Sequence, residues 1–216
     1  MENPNPSVLF SPPVDTVQRM AGLLAAGRRK VVGIVAPPGA GKSTLAQGLA
    51  AHFAPHSQYL PMDGFHLAQA QLERLGRDQR KGAPDTFDSA GFVALLQRIR
   101  QQVLGDATVY APDFRRTLEE PIAGAIAIEA HIPLVITEGN YLLLEDDGWA
   151  GARALLDEVW YLDVEQEVRH ERLLTRHMQF GRSREQALAW MAQTDEPNAK
   201  RIAANRHRAD WVISEG

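Results

Sequence analysis

The sequence predicts an α/β fold of three layers, with helices packed on both faces of a mostly parallel sheet. Short apolar or β-branched runs alternate along the chain with segments in which apolar residues recur at helical spacing. The run at residues 134–136 is apolar at every position, which is typical of a strand buried on both faces, and EVWYLD at 158–163 is predicted to be a strand of the same kind.

The first half of the chain is predicted to contain a helix followed by a strand–helix–strand unit. The first helix covers residues 12–26, with Ser11 as its N-cap and Gly27 at its end. The following elements are predicted as a strand at 30–36, a helix ending near 54, a strand at 57–62, and helices at 67–75 and 90–103. The crossover length predicts a parallel, right-handed pairing of the two strands. Residues 77–88 are polar, contain a glycine and a proline, and are predicted to form a mobile surface loop.

The second half of the chain continues the alternation. Strands are predicted at 107–111, 123–129, 133–138, 158–163 and 210–214, and helices at 164–180, 183–194 and 197–206. Ser183, followed by Gln186, forms a capping-box pattern at the start of the second of these helices. Because 216 residues suffice for one core but are few for two, we predict a single domain over residues 1–216, with an N-terminal tail and helix at 1–28 and a lid at about 164–194.

The composition excludes several classes of function. Lys and Arg total 23 against 27 Asp and Glu, and the resulting net charge of −4 gives no electrostatic reason to expect a nucleic-acid partner. The chain has no cysteine, which excludes disulfides and thiolate metal sites, and no apolar run approaches the roughly 18 residues that span a bilayer. The first residues lack the basic and apolar parts of a signal peptide. We therefore predict a cytoplasmic protein whose partners include neither nucleic acid nor a membrane.

The segment APPGAGKSTL at residues 36–45 follows the phosphate-binding pattern G-x-x-x-x-G-K-[ST], with alanine at the first glycine position. Such a loop holds a triphosphate with main-chain amides, and side chains would block the approach of the anion. We expect Lys42 to bind the β- and γ-phosphates and the Ser43 hydroxyl to bind Mg²⁺, while the helix that starts there directs its positive end at the anion. The ATP-binding residues predicted in this loop are Pro38, Gly39, Ala40, Gly41, Lys42, Ser43 and Thr44.

Three carboxylates follow predicted strands, at the edge where open α/β sheets bind their ligands. Asp63 comes directly after the second strand, and we expect it to accept the proton of an incoming hydroxyl, although an Asp-Gly pair is also a common turn. Glu138 ends the run PLVITE and is expected to hold Mg²⁺ directly or through water. Asp163 is followed three residues on by Gln166, so that a helix N-cap is its favoured role, while assistance to the metal stays open.

Three arginines share one face of the helix predicted at 164–180, because they are spaced by three and four residues. They are Arg169, Arg172 and Arg176. Glu165 can pair only with Arg169, which indicates an external anion for the other two. We expect this helix and the segment after it to form a lid over ATP, in which Arg172 or Arg176 stabilises charge on the transferring phosphoryl group. A solvated basic face is the alternative interpretation.

The motifs APPGAGKST, PMDGFHL, FDSAGF, YAPDFRR and VITEGNYLLL, with the arginine-bearing helix, resemble the phosphoribulokinase, uridine kinase and pantothenate kinase family of small-molecule kinases. The resemblance covers nearly the whole chain. The chain strongly resembles short bacterial proteins described as nucleoside kinase-like or fructose transport system kinase. It implies a P-loop NTPase fold, ATP and Mg²⁺ as cofactors, Asp63 as the catalytic base and Glu138 near the metal. Where uridine kinases typically have Asp-Ser-Phe-Tyr, this chain has Asp63-Gly64-Phe65-His66, which is nearer to the pantothenate kinase version.

The same resemblance indicates where the acceptor and the adenine bind. YAPDFRR is similar to the Tyr-x-x-Asp-Phe substrate loop of the family. The acceptor-binding candidates of this loop are Tyr110, Arg115 and Arg116, and the neighbouring segments add Phe65, His66 and Lys81. By the same resemblance, the adenine contacts are Asn205 and Arg208. Arg115 and Arg116 could equally pair with the neighbouring Glu119 and Glu120.

The leading hypothesis is an ATP- and Mg²⁺-dependent kinase that phosphorylates a hydroxyl of a small metabolite, such as a sugar, a nucleoside or a pantothenate-like compound. The alternative is a nucleotide-dependent switch or an ATPase without an acceptor, and the sequence contains neither the Asn-Lys-x-Asp guanine motif nor the Leu-Ser-Gly-Gly-Gln signature. A binding module that uses ATP only structurally is a third interpretation. The identity of the acceptor and the oligomeric state stay open.

Overall fold

A five-stranded parallel sheet forms the centre of the fold, and a two-stranded hairpin packs beside it. The computed structural model describes residues 11–214. The strands are β1 (Lys30–Val35), β2 (Ser57–Pro61), β3 (Val109–Arg115), β4 (Glu120–Ile128), β5 (Leu134–Glu138), β6 (Glu158–Asp163) and β7 (Trp211–Ser214). In the sheet the order is β2-β5-β1-β6-β7, with every neighbouring pair parallel.

Helices cover both faces of this sheet. They are α1 (Val14–Leu24), α2 (Lys42–His52), α3 (Gln69–Arg74), α4 (Ser89–Gln101), α5 (Ala150–Arg153), α6 (Gln166–Gln179), α7 (Arg184–Trp190) and α8 (Glu196–Ala204). Because side chains alternate along a strand, Val31 and Val35 of β1 enter one buried apolar cluster with α4, and Val32 and Ile34 enter a second with α1 and α2. The predicted three-layer α/β fold is confirmed. No helix within residues 11–214 has the length and apolarity to cross a bilayer.

The predicted pairing of the first two sheet strands is wrong, although their parallel direction is right. β5 lies between β1 and β2 and pairs with both. Every residue of β5 is buried, so the strand is best accommodated with a hydrogen-bonded neighbour on each edge. As a result, Glu138 at the end of β5 lies between the end of β1 and the end of β2.

The predicted runs at 107–111 and 123–129 form the hairpin of β3 and β4, which is antiparallel and separate from the central sheet. The hairpin packs on the short turn Met62–Phe65 that follows β2. At the contact, a Cβ added to Gly64 would lie 2.2 Å from the main-chain oxygen of Pro112, so only glycine fits there.

Residues 77–88 are packed against the core rather than forming the predicted loose surface loop. Pro84, Thr86 and Phe87 are buried, and the main chain of Phe87 forms a β-bridge with the residue at position 66. The Asp85 carboxylate pairs with two arginines of the same segment. The polar composition of the segment therefore reflects internal ion pairs as well as exposure to water.

Two predicted N-caps are wrong. Helix α1 begins after Pro13 and is not capped by Ser11. Helix α6 has Glu165 at its N-cap position, while the Asp163 carboxylate is already paired with Arg206, with Oδ2 and Nη2 2.7 Å apart.

The helices predicted at 183–194 and 197–206 form one continuous helical run, in which α7 and α8 are joined by the π-helical turn Met191–Asp195. The predicted capping box is confirmed, because Ser183 Oγ accepts from the Gln186 amide at 3.2 Å and Gln186 Oε1 accepts from the Ser183 amide at 2.9 Å. Pro197 follows the π-helical turn closely. Proline cannot donate a main-chain hydrogen bond and crowds the carbonyl four residues before it, which the wider turn accommodates.

Candidate active site

A cleft of about 500 Å³ opens at the carboxyl ends of β1, β2 and β5. Eight of the residues predicted from the sequence line it together: Pro38, Lys42, Ser43, Asp63, His66, Lys81, Arg116 and Arg176. They come from five separate segments of the chain, and the order of the sheet strands brings those segments to one edge.

The loop between β1 and α2 has the conformation that its glycines allow. Gly39 and Gly41 have φ values of +85° and +90°, which side-chain-bearing residues rarely adopt. A Cβ on Gly39 would also lie 2.7 Å from the main-chain oxygen of Arg169. Burial lowers the pKa of Lys42, at the start of α2, while the carboxylates of Glu138 and Asp63 act in the opposite direction. Thr44, the last residue of the predicted loop set, is exposed and does not line the cleft.

Helix α6 lies over this loop and is held to it by its arginines. Arg169 is buried and donates to the Pro38 carbonyl at 3.2 Å and to Glu196 Oε1 at 2.7 Å, so its carboxylate partner is not the expected Glu165. Arg172 Nη1 donates to the main-chain oxygen of Ala40 at 3.4 Å, and Arg172 is not among the residues that line the cleft. Arg176, one turn further along, is the arginine of the three that lines the cleft.

Glu138 is a buried carboxylate that two hydroxyl groups contact. Its Oε1 accepts from Ser43 Oγ at 3.0 Å and from the Tyr59 hydroxyl at 2.8 Å. Burial raises the pKa of Glu138 above its ordinary value, although Lys42 and the two hydroxyl donors oppose that change. Burial also raises the pKa of Tyr59, so the phenol keeps its proton and remains a donor to the carboxylate.

The residues around Glu138 fit a Mg²⁺ ion that is held mainly by nucleotide phosphates. No group of three or more His, Asp or Glu side chains within residues 11–214 is arranged to hold a metal by itself. Mg²⁺ in kinases is usually bound through one or two protein oxygens together with substrate phosphates and water. Ser43 Oγ and the Glu138 carboxylate supply such oxygens. In the described part of the chain, Asn140 Oδ1 is buried without a hydrogen-bond partner and is therefore available to a ligand.

Asp63 is one of the carboxylates that line the cleft. Its side chain is 34% exposed, and its Oδ2 lies 3.5 Å from Arg116 Nη2. Partial burial raises the pKa of Asp63, but the opposing influence of His66, Lys42 and Arg116 is larger in sum, and the pKa is lowered. The carboxylate is therefore ionised at neutral pH and can accept a proton.

His66 packs beside Asp63 in the wall of the cleft. Its ring centroid lies 4.0 Å from that of Phe87 and 4.8 Å from that of Phe114. His66 Nδ1 lies 2.8 Å from the main-chain oxygen of Asp63, and because a carbonyl can only accept, Nδ1 carries the proton. Burial lowers the pKa of His66, so the ring is neutral at neutral pH.

Three of the predicted acceptor-binding residues do not line the cleft. Phe65 is buried and packs edge-to-face on a phenylalanine of α4. Tyr110 is 59% exposed, on the other face of β3 from the buried residues at 109 and 111. Arg115 is exposed and pairs with Asp113, Nε to Oδ2, at 3.4 Å. Neither arginine of the substrate-loop pattern forms an ion pair with the glutamates at 119–120 within the described residues.

The two predicted adenine contacts also lie outside the cleft lining. Asn205 ends α8 and donates through Nδ2 to the main-chain oxygen of Arg201 at 3.0 Å. Arg208 donates to the Leu143 carbonyl and pairs with Glu145 at 3.0 Å. Both side chains thus have partners within the protein in this structure.

The structure adds a wall that the sequence analysis missed. Residues of α6, α7, α8 and the segments between them line the cleft: His177, Phe180, Arg182, Trp190, Thr194, Asp195 and Asn198. The π-helical turn shifts the residues after it relative to a regular helix, so helical periodicity does not predict which ones face inward. A proline inside a helical pattern, Pro197, is the local signal of such an irregularity.

Comparison with known proteins gives relatives along most of the chain. No family model matches the sequence. The chain is 39% identical over 191 residues to the uncharacterized protein YggC of Escherichia coli K12, and the aligned region covers 86% of this chain and 78% of that protein. It is 31% identical over 208 residues to the "Putative uridine kinase C227.14" of Schizosaccharomyces pombe, covering 91% and 88% of the two chains. The crystal structure of a "putative fructose transport system kinase" from Silicibacter sp. TM1040 aligns with a TM-score of 0.79 at 35% identity, covering 91% of this chain and 98% of that one.

Proposed function

The chain belongs to the uridine kinase family of P-loop kinases, and we propose that it transfers the γ-phosphoryl group of ATP to a hydroxyl of a small metabolite, with Asp63 as the general base. One observation carries the proposal. The lysine of the phosphate-binding loop, an ionised aspartate and a lid arginine line the same cleft of about 500 Å³. This combination suits phosphoryl transfer, in which catalysis is mostly positioning and stabilisation of charge.

The donor side of the cleft, defined as residues 36–44 with Glu138, binds the triphosphate. The loop amides and the helix N-terminus attract the phosphate oxygens, and Lys42 adds a positive charge next to them. Ser43 and Glu138 would hold Mg²⁺. When bound, the metal neutralises charge on the phosphate oxygens. Arg176 is available to stabilise charge on the phosphoryl group during transfer.

The acceptor side of the cleft, defined as the cleft-lining residues within 63–66, 81–87, 114–116 and 177–198, binds the hydroxyl compound. The acceptor oxygen forms a bond to the γ-phosphorus while the bond from that phosphorus to the bridging oxygen of ADP breaks. Asp63 accepts the hydroxyl proton, and ADP leaves with the bridging oxygen. A weak base suffices, because in a loose transition state the acceptor oxygen gains little positive charge until late.

The lid, residues 164–194, has a second role in this proposal. It covers the phosphate-binding loop through Arg169 and Arg172, and it contributes several residues to the cleft wall. A covered site excludes water, which would otherwise compete with the acceptor for the phosphoryl group.

The substitution Asp63→Asn tests the assignment of the base. We expect kcat to fall by about 10²–10⁴-fold because the amide cannot accept the proton, while the Kd for ATP changes little. A coupled ADP-release assay against a panel of hydroxylated metabolites measures kcat, and a nucleotide titration measures Kd.

Asp106→Asn is the matched control for this test, since Asp106 is exposed and lies outside the cleft lining. If Asp63→Asn keeps the wild-type kcat, Asp63 is not the base. If the wild-type protein releases ADP at the same rate with and without every acceptor, the protein is an ATPase and the kinase proposal fails.

A further inference from the structure

The cleft is lined by more cationic side chains than carboxylates. The five cations are Lys42, Lys81, Arg116, Arg176 and Arg182, and the three carboxylates are those of Asp63, Glu119 and Asp195. Arg116 pairs with Asp63, and Lys42 belongs to the phosphate-binding loop. Among residues 11–214, no carboxylate oxygen lies within 4.0 Å of a charged nitrogen of Lys81, Arg176 or Arg182. Arg176 is the proposed partner of the transferring phosphoryl group, which leaves two cations on the acceptor side.

Arg182 is held in place by groups that do not neutralise it. Its guanidinium lies 4.1 Å from the centroid of the Trp190 ring, and its Nη1 lies 2.7 Å from His177 Nδ1. Because a guanidinium can only donate, His177 Nδ1 accepts and the ring proton is on Nε2, which donates to Asp195 Oδ2 at 2.8 Å. His177 and Asp195 are both 8% exposed.

This chain of contacts fixes the direction of the Arg182 guanidinium. The imidazole ring of His177 separates the Asp195 carboxylate from Arg182. Asp195 therefore orients that ring, and it offsets the positive charge of Arg182 only through a longer-range interaction. The guanidinium has five N–H donors, of which one is used by the histidine. An oriented cation with unused donors is the arrangement that binds carboxylate or phosphate oxygens.

Lys81 is oriented in a similar way from the packed segment at 77–88. Its Nζ donates to the main-chain oxygen of Glu119 at 2.7 Å and lies 5.4 Å from the centroid of the Phe114 ring. Glu119 also lines the cleft, but its carboxylate is not within ion-pair distance of Lys81. Both contacts position the ammonium group without cancelling its charge.

We propose that the acceptor carries an anionic group, a carboxylate or a phosphate, which Lys81 and Arg182 bind while the hydroxyl lies at Asp63. An anion between these cations offsets their unbalanced charge and forms charge-assisted hydrogen bonds with donors that are already oriented. A neutral nucleoside or sugar offers no such group. The inference rests on the proposed kinase function, since it names the chemical class of the acceptor.

Matched pairs of acceptors test the proposal by kinetics. The pairs are D-glycerate with glycerol, pantothenate with panthenol, and D-ribose 5-phosphate with D-ribose, so that carboxylates and phosphates are distinguished. In any pair that is phosphorylated, we expect kcat/KM to be at least about 10-fold higher for the anionic member. Arg182→Gln and Lys81→Met should each lower the ratio of anionic to neutral kcat/KM by about 10-fold or more. A ratio of one or less in the wild type, or a ratio that neither substitution changes, overturns the proposal.

A binding measurement decides the question even if no member of the panel is the natural acceptor. The donor side is first filled with the non-hydrolysable analogue AMP-PNP and Mg²⁺, and the complex is titrated calorimetrically with inorganic phosphate and with acetate. We expect one saturable anion site per chain, weakened at least about 10-fold in Arg182→Gln and in Lys81→Met. The matched controls Arg184→Gln and Lys200→Met remove exposed cations outside the cleft lining and should bind the anion as the wild type does.

The two failures are distinguishable. If the wild type does not bind AMP-PNP, the proposed function fails and this inference fails with it. The kinase function stands and the proposal of an anionic acceptor is wrong in either of two cases. In the first, AMP-PNP binds but neither anion shows saturable binding. In the second, the control variants weaken anion binding as much as Arg182→Gln does.

Discussion

The donor side and the acceptor side of the cleft are built in different ways. The donor side is mainly one continuous stretch, residues 36–44, whose two left-handed glycines and close contact with α6 fix its shape. The acceptor side comes from four segments that are far apart in the sequence and meet only in the folded chain. The donor side is therefore constrained locally, while the acceptor side depends on long-range packing and can change its chemistry without changes to the phosphate-binding loop.

Lys42→Met is expected to have the largest effect among the variants that test this comparison. Loss of the positive charge beside the phosphates should lower kcat/KM by about 10²–10³-fold, and by the same factor for every acceptor, because the donor is common to all of them. The ADP-release assay measures this across the panel, with Lys200→Met as the control. A change in the relative preference among acceptors would show that the two sides are not separable.

Gly64→Ala tests how tightly the acceptor side is packed, because Gly64 follows Asp63 and packs on the hairpin. A Cβ there would lie 2.2 Å from the main-chain oxygen of Pro112, and main-chain atoms cannot rotate away as a side chain can. We expect the free energy of unfolding to fall by about 1–3 kcal/mol and kcat to fall with it, as the turn that holds the carboxylate shifts. Urea unfolding followed by circular dichroism measures the stability.

Gly22→Ala is the matched control for Gly64→Ala. Gly22 lies in α1, and an added Cβ there has no heavy atom within 4 Å, so the substitution should stabilise the helix by about 0.5–1 kcal/mol. If Gly64→Ala is as stable as the wild type, the hairpin is not packed tightly on the turn, and the acceptor side is looser than the contacts indicate.

The same contrast explains how much could be predicted from the sequence. The three-layer fold was predicted from signals a few residues long, and it is confirmed. The glycine pattern of the phosphate-binding loop is an equally short signal, and the positive φ values of its glycines are consistent with it. The position of β5 between β1 and β2 could not be predicted, because strand order depends on which strands must be buried on both edges. The functional roles of Asp63 and Glu138 stay predictions until they are measured.

The acceptor side was predicted less completely, for a geometric reason. Adjacent residues of a strand point to opposite faces, so a motif on a hairpin contributes to a site only in part. Tyr110 is exposed while Ala111 is buried, and Arg115 pairs with Asp113 while its neighbour Arg116 reaches Asp63. Of the four residues in these two adjacent pairs, Arg116 is the one that lines the cleft, and the motif alone does not specify the register of β3 and β4 that decides this.

A pH measurement gives the smallest expected effect and concerns the acceptor side. Burial lowers the pKa of His66 below its ordinary value of 6.5. Just below pH 6.5, the imidazole therefore binds a proton more readily in the unfolded chain than in the folded chain. The contribution of His66 to stability is therefore fully present above about pH 6.5 and is lost as the pH falls below it. Asp63, whose pKa is lowered, loses its contribution only at more acidic pH.

The free energy of unfolding should thus decrease between pH 7.5 and pH 5.5, and His66→Gln should remove about 1 kcal/mol or less of that decrease. Urea unfolding of both proteins at the two pH values measures the difference, and other titrating groups cancel because both proteins contain them. If His66→Gln retains the full pH dependence of the wild type, the ring is solvated in the folded state. The wall of the acceptor side would then be open to water at this point, and a neutral His66 could not be part of a closed acceptor site.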